Sequence, residues 1–217
     1  SCEYSDITVF SFHPVKIITC GEGGMALTNS PELYKKLNLY RSHGITSEFN
    51  SKNDFPKEEI WNYQQIDLGN NFRMTDILAA LGLSQLSKLE SFVKRRNQIA
   101  NIYGELLKDL PLTLPFVEEF NYSSFHLYPI RINKTRAGIN QKSFYNYLKG
   151  KLIKPNVHYI PVYRHPFYAN LGFKKDYCIE AESYYKETIS LPMFPALTDE
   201  NINYVCDVIK DILNKYV

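Results

Sequence analysis

The sequence lacks three features that would point to whole classes of function: a long hydrophobic run, a large excess of charge and a clustered set of cysteines. Its 217 residues carry a formal net charge of +2, and its basic run Lys94–Arg96 is short. A basic stripe that neutralises phosphates is therefore missing, which argues against a nucleic-acid partner. No apolar stretch approaches the roughly 20 residues of a membrane-spanning helix, so we expect no membrane partner.

The cysteines are few and scattered. Cys2, Cys20, Cys178 and Cys206 show no CxxC spacing and no neighbouring histidine cluster. This pattern argues against a disulfide framework and against a metal site, and a reducing cytoplasm is the expected location.

The chain has enough apolar residues for a sizeable core. Hydrophobic residues make up 44% of it, which predicts two lobes or one large domain. Short apolar runs predict strands, and apolar residues at helical spacing predict helices. The predicted strands are 7–12, 25–28, 125–132, 155–158 and 188–191. The predicted helices are 31–41, a stretch from Thr75 to about 107 in two parts, 140–148, 180–187 and 199–216. Strands that alternate with helices indicate an α/β fold, and residues 45–68 are predicted to form a long loop.

One short stretch, SFHPVKIITCGEGG at residues 11–24, places a lysine between a strand end and a glycine turn. A partly desolvated lysine amine can form a Schiff base with a carbonyl, and a nearby hydroxyl can hold a phosphate. Lys16 and Ser11 would together suit pyridoxal phosphate. The alternative is a surface lysine in a connecting turn. A phosphate-binding P-loop is disfavoured because its lysine follows the glycines, whereas Lys16 precedes them.

Longer motifs give this stretch a context. FSFHPVKIITCGEGGMALT resembles the cofactor-lysine segment of the DegT-type nucleotide-sugar aminotransferases. Further stretches match that family in its order: LYRSHGI, LGNNFRMTDILAALGLSQLSKL, RRNQIANIYGELL, HLYPIRI, VHYIPVY and ISLPMFPALTDE. The resemblance covers essentially the whole chain and implies the α/β architecture of fold type I transferases that use pyridoxal phosphate.

The resemblance also implies a domain organisation and a reaction. Residues 1–110 would be the C-terminal part of the large cofactor-binding domain with an interdomain helix, and residues 111–217 the small C-terminal domain. SFHPVK, RSHGI and NNFRMTD resemble most the UDP-sugar 4-aminotransferases of the pseudaminic acid pathway. Such enzymes move an amino group from glutamate to C4 of a UDP-linked 4-keto-6-deoxy-N-acetylhexosamine. Perosamine-type, bacillosamine-type and 3-amino-sugar relatives share most of these motifs and remain alternatives.

Roles for individual residues follow from the same resemblance. Lys16 resembles the lysine that binds the cofactor and then transfers the proton. Ser11 resembles the hydroxyl that binds the cofactor phosphate. Asn71 resembles the residue that reaches this phosphate from the neighbouring subunit, which implies a homodimer with shared active sites.

Three further residues are assigned to the substrates. His158 and Tyr159 resemble the segment that lines the sugar-nucleotide cleft, the alternative being a packing cluster at a strand end. Arg73 either meets the acidic substrate, glutamate or 2-oxoglutarate, or holds its own loop through a structural ion pair.

The family carries a long portion before the lysine segment, with a phosphate-binding turn, an aromatic residue that stacks on the cofactor ring and an aspartate for the pyridine nitrogen. None of these can be placed in this sequence. We therefore expect a C-terminal fragment with little or no activity by itself. Two other classes remain open: a regulator, which the presence of Lys16 disfavours, and a non-catalytic dimerisation module, which predicts exposed apolar surface in the first lobe.

Overall fold

The computed structural model describes residues 2–47 and 63–216, which form two compact units that divide after Leu89. The assignment of residues 1–110 and 111–217 to a large and a small domain refers to the whole enzyme and stays a prediction. In this chain the long helix that begins at Leu89 belongs almost entirely to the second unit.

The first unit begins with an antiparallel hairpin. Strand β1 (Thr8–Ser11) pairs with β2 (Gly24–Leu27), with Ser11 opposite Gly24. Both strands were predicted from their apolar runs. The turn between them is the stretch that carries Lys16.

Two capped helices follow the hairpin. Helix α1 (Pro31–Arg41) begins after Ser30, whose Oγ accepts a hydrogen bond from the Leu33 N–H at 3.3 Å. Helix α2 (Asp76–Leu86) begins in the same way after Thr75. Both starts were predicted, because a hydroxyl at this position satisfies backbone N–H groups that have no partner within the helix.

The predicted loop 45–68 is wrong at its two ends. Strands β3 (Ile45–Thr46) and β4 (Gln64–Gln65) pair antiparallel there. Residues 48–62 lie outside the described residues. Strands of two residues are too short to show an apolar alternation, so periodicity gives no signal for them.

The first unit buries little apolar surface. Cys20 is its only fully buried hydrophobic residue among those described, and α1 and α2 bury no residue completely. Large side chains are exposed instead, among them Val9, Leu68, Phe72, Ile77 and Leu83. The dimerisation-module reading predicted an exposed apolar surface of this kind.

The second unit contains a continuous hydrophobic core. Strands β5 (Tyr128–Arg131) and β6 (Thr188–Leu191) pair antiparallel, with Ile130 opposite Ile189. The helices of this unit are α3 (Leu89–Leu107), α4 (Lys134–Ala137), α5 (Gln141–Gly150), α6 (Pro166–Asn170), α7 (Ile179–Glu187) and α8 (Asp199–Asn214), with a 3-10 turn at Val162–Arg164. The long helices turn their apolar faces to this core, to which they contribute residues such as Ile99, Phe144 and Ile209.

The strand predicted at 155–158 is wrong. Only Asn156 makes a bridge there, with Ser190. Pro155 has no N–H, and the Val157 N–H is bonded to the side chain of Asn156 at 2.9 Å, so a ladder cannot continue. Helices α4 and α6 were not predicted, because four or five residues are too few to show a helical period.

Candidate active site

Backbone hydrogen bonds define the turn that carries Lys16. Its N–H donates to the His13 carbonyl at 3.0 Å, and the Phe12 N–H donates to the Gly23 carbonyl at 2.9 Å. Across this turn, His13 Nε2 lies 3.8 Å from Glu22 Oε1. The lysine therefore projects from a closed loop and not from a flexible linker.

Thr19 holds the far side of the same loop. Its hydroxyl donates to the Phe12 carbonyl at 2.9 Å and accepts from the Gly21 N–H at 2.9 Å. Gly21 has a φ of +83°, which a residue with a side chain rarely adopts. The role of Thr19 is thus to shape the glycine turn.

The next glycine is required by close packing. A Cβ on Gly23 would lie 2.5 Å from the Sγ of Cys20 and 2.6 Å from the Cε of Met74. This contact joins the lysine loop to the segment that leads into α2.

The side chains of Lys16 and Ser11 are available for a ligand. Lys16 is half-buried, and within residues 2–47 and 63–216 its ammonium has no hydrogen-bond or ion-pair partner. Among the described residues, the exposed Ser11 Oγ accepts one long hydrogen bond, 3.4 Å, from the His13 N–H, which leaves its proton free to donate. An unpaired amine on the turn and a hydroxyl at the end of β1 are the groups that the aldehyde and the phosphate of pyridoxal phosphate require.

Asn71 and Arg73 lie together in a second cluster of the first unit. The Arg73 Nε–H donates to Asn71 Oδ1 at 2.9 Å, and Arg73 Nη2 lies 3.4 Å from His43 Nε2. His43 has a φ of +63°, an uncommon conformation for a residue with a side chain. Within the described chain Arg73 makes these two hydrogen bonds and no ion pair. Its role, at the acidic substrate or in holding its own loop, stays a prediction.

The backbone explains why these residues meet. The His43 N–H donates to the Asn70 carbonyl at 2.9 Å, and a Cβ on Gly44 would lie 1.9 Å from the Asp67 carbonyl oxygen. The segments RSHGI and LGNNFRM therefore pack directly against each other, although they are separated in sequence. Both motifs belong to the family resemblance, but the sequence did not predict their contact.

His158 and Tyr159 lie in the second unit. The His158 Nδ1 is 2.9 Å from the Oγ of Ser190, and the two aromatic rings of His158 and Tyr159 meet edge to face with centroids 4.5 Å apart. Partial burial holds the pKa of His158 below its usual 6.5. Tyr159 is largely exposed. Ser190 was not predicted, because a serine in a buried strand has no sequence signal of its own.

Residues 2–47 and 63–216 contain neither a cluster of metal ligands nor a membrane-spanning helix. No three histidine, cysteine or acidic side chains of the described ranges converge as metal ligands. In the same part of the chain, no helix has the length and hydrophobicity needed to cross a bilayer.

Comparison with known sequences identifies the family. Residues 1–210 match the DegT/DnrJ/EryC1/StrS aminotransferase family. An uncharacterized protein of Methanocaldococcus jannaschii is 39% identical over 97% of the chain. A UDP-4-amino-4,6-dideoxy-N-acetyl-beta-L-altrosamine transaminase of Campylobacter jejuni is 34% identical over 97%. The GDP-perosamine synthase of Escherichia coli O157:H7 is 32% identical over 96%. The chain spans about half of each relative: 54%, 53% and 52% of their lengths in this order.

Solved structures give the same result for the fold. Helicobacter pylori PseC, an aminotransferase involved in the biosynthesis of pseudaminic acid, has a TM-score of 0.84 and 32% identity over 98% of this chain and 54% of its own. The PLP form of the Streptococcus pneumoniae sugar aminotransferase Spr1654 has a TM-score of 0.86 and 30% identity over 100% of this chain and 54% of its own. The fold is thus that of the C-terminal half of fold type I aminotransferases. The chain belongs to the DegT/DnrJ/EryC1/StrS aminotransferase family.

Proposed function

We propose that this chain supplies the cofactor lysine, Lys16, to a nucleotide-sugar aminotransferase that depends on pyridoxal phosphate. The observation that carries the proposal is that half-buried Lys16, whose ammonium has no partner among the described residues, stands on a closed turn that directly follows Ser11. Family membership and the PLP form of a similar structure support the choice of cofactor.

Bound pyridoxal phosphate supplies the electron sink that amino-group transfer requires. Lys16 would hold the cofactor through Nζ, and the same atom would accept and return the proton that amino-group transfer moves. The closed turn fixes the backbone from which the Lys16 side chain projects.

Two polar side chains are proposed to bind the phosphate. Ser11 donates its hydroxyl proton. Asn71 donates from Nδ2, because its Oδ1 already accepts from Arg73. Asn71 would act from a second copy of the chain, in a homodimer with shared sites. Exposed apolar residues of the first unit, such as Phe72 near Asn71, support such a contact.

The proposed substrates are glutamate and a UDP-linked 4-keto-6-deoxy-N-acetylhexosamine, as in pseudaminic acid biosynthesis, with 2-oxoglutarate as the acid product. The Campylobacter transaminase and PseC support this choice. His158 and Tyr159 would contact the sugar nucleotide. Arg73 would act by holding Asn71. The four free cysteines support a location in the reducing cytoplasm.

We also propose that the isolated chain turns over slowly. It spans 54% of PseC, and its first unit has one fully buried hydrophobic residue among those described. A unit with so little core does not hold a site rigidly without further polypeptide packed against it.

Parallel assays test this function. The purified chain with pyridoxal phosphate and glutamate is given the UDP-linked and the GDP-linked 4-keto-6-deoxy sugar, and the amino sugar is measured by mass. We expect slow formation of product from the UDP-linked sugar, and none with the variant Lys16→Arg. A preference for the GDP-linked sugar would favour a perosamine-type enzyme, the second candidate, which the Escherichia coli relative supports. Rapid turnover would contradict the need for further polypeptide.

A further inference from the structure

Ser190 lies in strand β6, between Asn156 on one side and strand β5 on the other. Its backbone N–H donates to the Asn156 carbonyl at 2.8 Å and its carbonyl accepts from the Asn156 N–H at 3.0 Å. On the β5 side it lies opposite Pro129, which has no N–H to offer. The segment after Pro155 is therefore tied to Ser190, and His158, two residues beyond the bridge, comes within reach of its hydroxyl.

The hydroxyl of Ser190 has one partner. Ser190 is 3% exposed. Within the described ranges, its Oγ forms one hydrogen bond, to Nδ1 of His158 at 2.9 Å. A buried hydroxyl hydrogen needs an acceptor. Since Nδ1 is the acceptor within hydrogen-bond distance, the Ser190 hydroxyl donates and Nδ1 accepts.

The consequence concerns the opposite edge of the ring. A neutral imidazole carries one proton, and with Nδ1 accepting, that proton is on Nε2. The edge-to-face contact with Tyr159 further restricts the ring. Partial burial holds the pKa of His158 below its usual value, which keeps the ring neutral at neutral pH.

We propose that Ser190 is a positioning residue that holds His158 with Nδ1 as acceptor, so that His158 offers Nε2–H to an oxygen atom of the sugar nucleotide. The second half of this statement rests on the proposed function. The first half concerns only the chain.

The tautomer is measured on the full chain labelled with ¹⁵N. Long-range proton–nitrogen spectra above neutral pH distinguish the two ring nitrogens, and His158→Gln assigns the signals among the five histidines. We expect His158 to be protonated on Nε2, with the Nδ1 signal shifted as for a hydrogen-bond acceptor. Protonation on Nδ1 would overturn the proposal.

Two variants on one strand separate positioning from packing. In Ser190→Ala we expect the Nδ1 signal to lose its acceptor shift and a fraction of the Nδ1–H form to appear. Thr188→Val is the matched control, because Thr188 is fully buried on the same strand and its Oγ1 has no hydrogen-bond partner in residues 2–47 and 63–216. Equal effects of the two variants, or none in Ser190→Ala, would contradict a positioning role.

The ligand is tested separately with UDP-N-acetylglucosamine as the probe. We expect the Nε2 signal of His158 to shift in the native chain and in Thr188→Val, and to shift less in Ser190→Ala. A correct tautomer with no shift on addition of the probe would overturn the donation to the sugar nucleotide and the cleft assignment of His158. It would leave the pairing with Ser190 intact.

Discussion

The guanidinium of Arg73 donates from Nε to Oδ1 of Asn71 over 2.9 Å. Because this oxygen is occupied, the amide presents its NH₂ group, a donor, to any ligand. Arg73 is in turn 3.4 Å from His43 Nε2, on the loop closed by Gly44 and Gly69. An amide oriented in this way suits a phosphate and not a cation.

Removal of Arg73 should weaken cofactor binding through Asn71. For Arg73→Ala we expect a loss of about 10-fold in affinity for pyridoxal phosphate, about 1.4 kcal/mol, since the amide becomes free to rotate. Titration followed by visible absorbance measures it. Adding Asn71→Ala to Arg73→Ala should cost less than the two single effects together. Arg41→Ala, an exposed arginine at the end of α1, is the control and should leave the affinity unchanged.

The loop that carries His43 should depend on Gly44. Gly44 has a φ of +69°, and its Cβ position is 1.9 Å from the Asp67 carbonyl oxygen, so Gly44→Ala both clashes and strains the backbone. We expect faster hydrogen exchange in segments 40–46 and 66–72, equivalent to a loss of about 2 kcal/mol or more. Gly150→Ala, where nothing lies within 4 Å, should leave exchange unchanged. Unchanged protection in Gly44→Ala would show that the two motifs do not depend on this contact.

Sequence reasoning succeeded where the signal is local. Ser30 and Thr75 mark helix starts because a cap needs only its own neighbours, and β6 was predicted at its observed bounds from its apolar run. It missed contacts between distant segments. Nothing in the chain order brings His43 to Arg73, or Ser190 to His158, because these pairs depend on backbone closure over 30 and 32 positions.

The depressed pKa of His158 gives a stability that depends on pH. The unfolded chain takes up the proton at about 6.5, while burial holds the folded value lower. The contribution of His158 to the free energy of unfolding is therefore fully present above pH 6.5. It is lost as the pH falls from 6.5 through the pKa of the folded state. Denaturant unfolding of the second unit should show a decline over this window that is smaller in His158→Gln. Parallel curves for the two proteins would contradict it.

The thiol of Cys206 should be inert in the native chain. It is fully buried, and burial raises its pKa to about 12. We expect iodoacetamide to modify exposed Cys178 in native protein, and Cys206 only after denaturation. Peptide mass mapping before and after denaturation measures this. Early modification of Cys206 would mean that the core of the second unit opens readily.

The central claim is that Lys16 is the cofactor lysine, and reduction with borohydride tests it most directly. The chain is incubated with pyridoxal phosphate, reduced, digested and mapped by mass, with Lys16→Arg and Lys35→Arg treated in parallel. Lys35 is an exposed lysine of the same unit and serves as the control. We predict a phosphopyridoxyl group on Lys16 at low cofactor concentration in the native chain and in Lys35→Arg, and none at this segment in Lys16→Arg. Labelling spread evenly over the surface lysines, with no preference for Lys16, would contradict the account.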